Sequence, residues 1–257
     1  MIIASWNVNS VRARLPILMD WLKTASPDVV LLQEIKCEES AFPAMEIQSA
    51  GYYALVKGQK SYNGVAILTK RKAELRRDAL LGDDANPQSR YIEAEIDGWI
   101  VASLYFPNGN PKNTEKFPYK LSWMKWLHAH AQKLLEEERP VVLGGDYNVI
   151  PEAIDAAFPQ KWVNDALFSP EARGEFRKLK NLGYYDALRQ LHPNAAHLYT
   201  FWDYLAGAFD RGDGIRIDHL MLSPEAADRL TSCRIDRHLR ALEKASDHVP
   251  IVGEFKE

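Results

Sequence analysis

In this sequence, polar residues able to bind a hard cation or move a proton stand at the ends of apolar runs. Asn7 follows Ile2–Trp6, Glu34 follows Val29–Leu32 and Gln33, and Tyr105 and Asn108 end the run that starts at Trp99. Asp146 and Asn148 follow Val141–Gly145, Asp218 lies within Ile215–Leu222, and Asp247-His248 precedes the last run. Each alone has an ordinary explanation: Asn and Asp after a strand make turns, Gly-Gly-Asp is a common bend, and an Asp-His pair is usually solvated. Their joint occurrence points to chemistry. Zinc prefers closely spaced His and Cys, and neither HExxH nor paired CxxC occurs. Without a GxxxxGK(S/T) loop or a GxGxxG turn, triphosphate and dinucleotide readings lose their anchor. Carboxylates with asparagine oxygens suit magnesium, which keeps several waters and takes one or two carboxylates; Glu34 with Asn7 answers that description. A His beside an Asp, with a second Asp elsewhere, offers a group titrating near neutral pH and a carboxylate to hold its tautomer. The set suits metal-assisted hydrolysis of a phosphate ester.

Strands buried on both faces would position such residues. Short apolar runs recur at Ile2–Trp6, Val29–Leu32, Val65–Leu68, Tyr91–Ile96, Trp99–Phe106, Val141–Leu143, Ile215–Leu222 and Val249–Phe255. Between them, Leu15, Leu18, Met19 and Leu22, then Phe117, Leu121, Met124, Leu127, Ala131 and Leu134, fall at helical spacing. The class is α/β. Ser169-Pro170 and Ser223-Pro224 read as helix caps followed by proline at the first helical position. No linker, repeat or low-complexity tract divides the chain, so 1–257 reads as one domain. The longest aperiodic stretches, 107–114 and 149–169, are of a size that is more often functional than idle.

The 257 residues are 46% hydrophobic and 26% charged, as in ordinary globular proteins. A formal net charge of −3 excludes a globally basic nucleic-acid binder, so any grip on phosphate must be local. The opening Met1-Ile2-Ile3-Ala4-Ser5-Trp6 reads as a buried strand rather than an export signal. The apolar runs are too short to span a bilayer, and Cys37 and Cys233 lie far apart outside any CxxC. The expectation is a cytoplasmic monomer with no membrane partner.

Several segments together resemble the exonuclease III / AP endonuclease family. They are Trp6-Asn7-Val8-Asn9-Ser10-Val11-Arg12, Leu32-Gln33-Glu34-Ile35-Lys36, Gly58-Gln59-Lys60, Tyr105-Phe106-Pro107-Asn108-Gly109 and Lys116-Phe117-Pro118-Tyr119-Lys120. Gly145-Asp146-Tyr147-Asn148, Arg216-Ile217-Asp218-His219 and Ser246-Asp247-His248-Val249-Pro250 complete the set in family order, end to end. The resemblance implies a DNase I-like four-layered sandwich: two packed mixed β-sheets flanked by helices, with the site at one edge.

It further implies hydrolysis of the backbone of double-stranded DNA with Mg²⁺, or Mn²⁺ in its place, by a 3′→5′ exonuclease or abasic-site endonuclease of base-excision repair that also cleans 3′ ends. Glu34, Asn7 and Asp247 would hold the metal. Asp218 would orient His248, Asp146 with Asn148 would handle the attacking water, and Tyr105 would sit against the phosphate; the general base is Asp146 or His248. Gln59, Lys60, Lys36, Arg90, Asn108, Lys112 and Arg216 would grip DNA. In Thr200-Phe201-Trp202-Asp203-Tyr204-Leu205, Phe201 and Trp202 would line a pocket for an extrahelical abasic sugar and Leu205 would wedge the duplex. Alternatives are another phosphoesterase of the same fold, such as a nonspecific nuclease or an inositol- or lipid-phosphate phosphatase, and a non-catalytic DNA-binding module. The KFPxK and TFWxY segments favour the repair branch. A binding-only module should have lost Glu34, Asp146, Asp218 or His248, and all four are present.

Overall fold

In a computed structural model that describes residues 1–83 and 88–256, the apolar runs become strands of two six-stranded sheets. The first contains β1 (Ile2–Asn7), β2 (Val29–Gln33), β3 (Tyr53–Lys57), β4 (Val65–Thr69), β11 (Leu230–Ile235) and β12 (Ile251–Phe255), in the order β11-β12-β1-β2-β4-β3. The second contains β5 (Glu74–Arg77), β6 (Tyr91–Ile96), β7 (Trp99–Tyr105), β8 (Val141–Asp146), β9 (Tyr185–Asp186) and β10 (Asp218–Leu222), in the order β5-β6-β7-β8-β10-β9. Both are mixed: β1–β2 and β7–β8 are parallel and the other pairings antiparallel.

The sheets pack face to face. Ile3, Leu31 and Ile67 of one meet Ala94, Val101, Val142 and Leu220 of the other in an apolar core, which is why these strands carry apolar residues on successive positions. The outer face of the first sheet is covered by α1 (Leu15–Ala25) and α2 (Ala44–Ser49), through Leu18, Trp21, Leu22 and Ile47. The outer face of the second is covered by α3 (Lys116–Leu135) and α4 (Pro170–Leu182), through Trp123, Leu127, Phe176 and Leu179. Short helices α5 (Ala187–Leu191) and α6 (Pro224–Ala227) flank β10. These four layers are the architecture that the resemblance implied. Both serine caps form: Ser169 Oγ accepts from Ala172 N at 3.2 Å and Ser223 Oγ from Ala226 N at 3.4 Å, each with proline in the first turn. Among the described residues no helix is long and apolar enough to cross a membrane.

Register fixes where the chemistry gathers. Tyr105 stands opposite Asp146 across β7–β8, and Asp146 opposite Asp218 across β8–β10, so three polar groups line up along one sheet edge. In the other sheet Asn7 stands opposite Gln33, directly before Glu34, and His248 lies just ahead of β12. Gly144 and Gly145 do not bend the chain; β8 runs through them to Asp146. A Cβ on Gly145 would lie 1.9 Å from the Leu104 carbonyl oxygen, so only glycine lets β7 and β8 run this close.

Candidate active site

At the joint edge of the two sheets, Glu34, Asp146 and His248 each offer a ligand atom within 4.8 Å of the others. Asn7 binds this group together: its Nδ2 donates to Glu34 Oε1 at 2.9 Å and to Asp146 Oδ2 at 3.0 Å. The Asn9 backbone N–H donates to Asn7 Oδ1 at 3.0 Å and fixes the amide that way round. The sequence places Asn7 at or beside the metal; here its Oδ1 accepts from the Asn9 N–H and its nitrogen faces the two carboxylates. Asp247 lines the same cleft but stands outside the three-residue cluster, its Oδ1 accepting from Asn9 Nδ2 at 3.0 Å. Lys36, expected on the DNA face, turns inward, with Nζ 2.8 Å from Glu34 Oε2 and 2.5 Å from Asn9 Oδ1. Burial alone would raise the Glu34 pKa, but Lys36 and the Asn7 amide outweigh it and hold the carboxyl below its usual range.

His248 is clamped between two acids, with Nδ1 2.8 Å from Asp218 Oδ2 and Nε2 3.8 Å from Asp146 Oδ2. Burial would lower its pKa; the charges of Asp218 and Asp146 and the Asp218 hydrogen bond outweigh that and lift it to about 10. Asp146 is pushed up to about 7, first by burial, against the pull of His248 and with the help of Asp218 and Glu34. The two shifts share one cause: the buried charges of the row favour the protonated imidazole and resist a full negative charge on Asp146. Burial and then the charges of Glu34 and Asp146 raise Tyr105 far above an ordinary phenol, so it stays neutral and can donate.

Asn148, at a positive φ of 48°, is fixed by its neighbours. Its Nδ2 donates to Phe106 O at 3.0 Å and its Oδ1 accepts from Asn108 Nδ2 at 3.0 Å. A residue to which the sequence reading gave no role holds both loops. Lys120 on α3 is fully buried, and its Nζ donates to Asn108 O at 3.0 Å and Asn148 O at 2.6 Å. Burial lowers its pKa to about 7. The available signal was a lysine lying among Phe117, Leu121 and Met124 on the apolar stripe of a helix. Lys120→Met would leave two inward-facing carbonyls without their donor, at about 1–3 kcal/mol each. It should slow single-turnover cleavage by up to about 10²-fold through misplacement of Asn108 and Asn148. A wild-type rate in that assay would reduce Lys120 to a packing residue.

The cleft holds about 260 Å³ and is also lined by Trp162, Asp165, Leu167, Phe201 and Ile217. Thus the aperiodic stretch 149–169 supplies one wall. Phe201 meets the His248 ring edge-on at 4.9 Å. Trp202 does not reach the cleft: it is 1% exposed and packs edge-on against Phe209 and Tyr199. It is a core residue because neighbouring side chains in the extended TFWDYL segment point to opposite sides. Leu205 is 72% exposed, free to meet a ligand. Gln59, Arg90 and Asn108 line an adjoining groove of about 570 Å³, where Arg90 stacks over the Tyr105 ring at 4.7 Å. Lys60 is exposed nearby in sequence, and Lys112 lies over the Phe117 ring at 5.3 Å.

Arg216 requires a correction, because it is 1% exposed and cannot touch DNA. Its Nε is 2.7 Å from Asp155 Oδ1 and its Nη1 is 2.8 Å from Asp186 Oδ2. Nη1 also lies 2.9 Å from His219 Nδ1. This buried network ties the loop after β8 to β9 and to the strand that carries Asp218.

A family model described as "Endonuclease/Exonuclease/phosphatase family" matches residues 4–248. The chain is 35% identical to the exodeoxyribonuclease III of Haemophilus influenzae, over 98% of each protein. It is 32% identical to the DNA repair nuclease APEX1 of Danio rerio, over 98% of this chain and 81% of that one. Among solved structures, an AP endonuclease from Archaeoglobus fulgidus superposes with a TM-score of 0.95 at 38% identity, covering 100% of both chains. The 3′ phosphatase NExo from Neisseria, bound to a product DNA hairpin, superposes with a TM-score of 0.95 at 37% identity, again over 100% of both. With its sandwich of two mixed sheets and this spread of identity along its whole length, the chain belongs to the endonuclease/exonuclease/phosphatase family, in its exonuclease III / AP endonuclease branch.

Proposed function

We propose that this protein is a DNA-repair phosphodiesterase. It cuts the backbone of double-stranded DNA as a 3′→5′ exonuclease and abasic-site endonuclease and cleans 3′ ends, with Mg²⁺ as its cation and Mn²⁺ as a substitute. The observation that carries the reading is the row Asp218–His248–Asp146 beside Glu34 in a single cleft, with the imidazole 2.8 Å from one carboxylate and 3.8 Å from the other. The donor set fits a hard cation: two carboxylates lie close enough for one asparagine amide to bridge them. Glu34 would hold the metal, beside the Asn7 amide and Asp247 of the same cleft. When bound, magnesium supplies a Lewis acid that polarises a phosphate oxygen and offsets charge built up in the transition state.

The protein's own groups do the rest. Asp146, with its raised pKa, accepts the proton of the attacking water, and Asn148, held by Asn108, orients that water. His248, protonated and fixed by Asp218, donates to the phosphoryl oxygen as its charge grows. Tyr105, a neutral phenol, donates to the same phosphate; as the water oxygen bonds to phosphorus, the P–O bond to the sugar breaks, and the leaving sugar oxygen takes up a proton from solvent. The rank order of cleavage of three labelled duplexes tests the reading: one with an abasic-site analogue, one with a recessed 3′ end and one with a 3′-phosphate. Activity should vanish with EDTA, return with Mg²⁺ or Mn²⁺, and require Glu34; full turnover of all three without divalent metal would overturn the metal assignment. The protein is proposed to act as a cytoplasmic monomer, which size-exclusion chromatography with light scattering and cell fractionation would check.

A further inference from the structure

Beyond Asp247 lies a second groove, of about 340 Å³, lined by Ala13, Arg14, Tyr204, Arg240, Leu242, Lys244 and Ala245. Asn9 joins its lining to that of the reaction centre. Asn9 Nδ2 donates both to Asp247 Oδ1 at 3.0 Å and to Tyr204 OH at 3.3 Å. Arg14 Nη2 donates to the same hydroxyl at 2.7 Å. The lining therefore holds three cations and no carboxylate; the nearest acids in sequence are Asp203, Glu243 and Asp247. Arg240 stacks over the half-exposed Tyr204 ring at 5.0 Å and spends Nε and Nη2 on the Trp202 and Asp203 carbonyls, leaving Nη1 without a bond among the described residues. Lys244 is exposed, stands at a positive φ of 58°, and has neither ion pair nor hydrogen bond among the described residues.

Uncompensated cations in a concave groove, in a chain of net charge −3, call for an anion. The tyrosine face and exposed Leu242 beside them suit a sugar as well as a phosphate. We propose that this groove is a second phosphate-holding subsite for the sugar-phosphate backbone of the same DNA, gripped by Lys244 and Arg240 on the Asp247 side of the cleft. The groove of Gln59 and Arg90 adjoins the cleft on its Tyr105 and Asn108 side, so with both engaged the scissile phosphate is held from two directions. The inference rests on the proposed reading as a DNA phosphodiesterase.

The test measures binding of a labelled abasic-analogue duplex by fluorescence anisotropy across a salt series. It compares the wild type, Lys244→Ala, Arg240→Gln and, as a control, Lys133→Ala on the exposed face of α3. A lost phosphate contact lowers the slope of log K against log salt by about 0.9. Lys244→Ala and Arg240→Gln should each show that drop, with the loss in turnover appearing in KM rather than kcat, and Lys133→Ala should not. An unchanged slope for Lys244→Ala, or an equal drop for Lys133→Ala, overturns the subsite. Inorganic phosphate at constant ionic strength forms the second arm: competing for the same cations, it should weaken duplex binding more in the wild type than in Lys244→Ala, and an equal effect on both overturns the subsite. A wild-type protein that binds with the predicted slopes yet cleaves none of the three duplexes would sink the phosphodiesterase reading and leave the groove standing.

Discussion

Asp146→Asn should lower kcat for cleavage of the abasic-analogue duplex by about 10²- to 10⁴-fold, the loss expected when a proton-transfer group is removed. The carboxylate accepts from Asn148 N through Oδ1 at 2.9 Å and from Asn7 Nδ2 through Oδ2 at 3.0 Å. An amide keeps one of these partners and turns an N–H towards the other, so the group loses basicity and pushes Asn7 away from its bridging position. DNA binding should be as tight as in the wild type or tighter, because one buried negative charge facing a phosphate is gone. Single-turnover rates and binding constants measured side by side separate the two effects. A rate within tenfold of wild type would remove Asp146 from the chemistry.

Arg216→Met should cost the fold about 3–5 kcal/mol, the range for breaking a buried ion pair on one side. Asp155 and Asp186 would keep their charges in the interior with their central guanidinium gone, and Arg189 remains only for Asp155. Urea denaturation followed by circular dichroism reads this directly; a loss below 1 kcal/mol would show that the network relaxes into water. Acid should act on the same region. Burial, then the charge of Arg216, depresses the His219 pKa from 6.5 to about 4, so its unfolded form binds protons more readily and stability falls as pH drops from about 6.5 to 4. Asp155, for which Arg216 and Arg189 outweigh burial, is depressed from 3.8 to about 2. Its stabilisation is present above pH 3.8 and is lost as pH falls towards 2.

Central strands announced themselves in the sequence because they are covered on both faces, which leaves a continuous apolar run. Edge strands did not. β3, β5, β9 and β11 lie at the four sheet margins, and none coincides with a run. Glu74–Arg77 shows why: charged residues at an exposed margin deter further pairing and erase the apolar signal. The residues of the cluster were legible for a related reason, since Glu34 directly follows β2, Asp146 ends β8 and His248 stands just ahead of β12, where register decides their neighbours. Orientation was less legible. Asn7 could offer oxygen or nitrogen until the Asn9 N–H was placed, and of two adjacent aromatics only Phe201 faces the cleft. Arg216 looked like a surface cation because its partners, Asp155 and Asp186, are 61 and 30 residues away in sequence. Lys120 was hidden by the opposite assumption, that an apolar helical stripe carries only packing.

β1 and β12 are hydrogen-bonded neighbours, Ile2 opposite Glu254, although they lie at opposite ends of the described chain. During translation β1 must therefore wait for the residues of β12 before the middle of its sheet can close. His248 emerges just ahead of those same residues. A chain made only as far as Asp146 thus holds two of the three clustered residues without His248 or the strand that seats it.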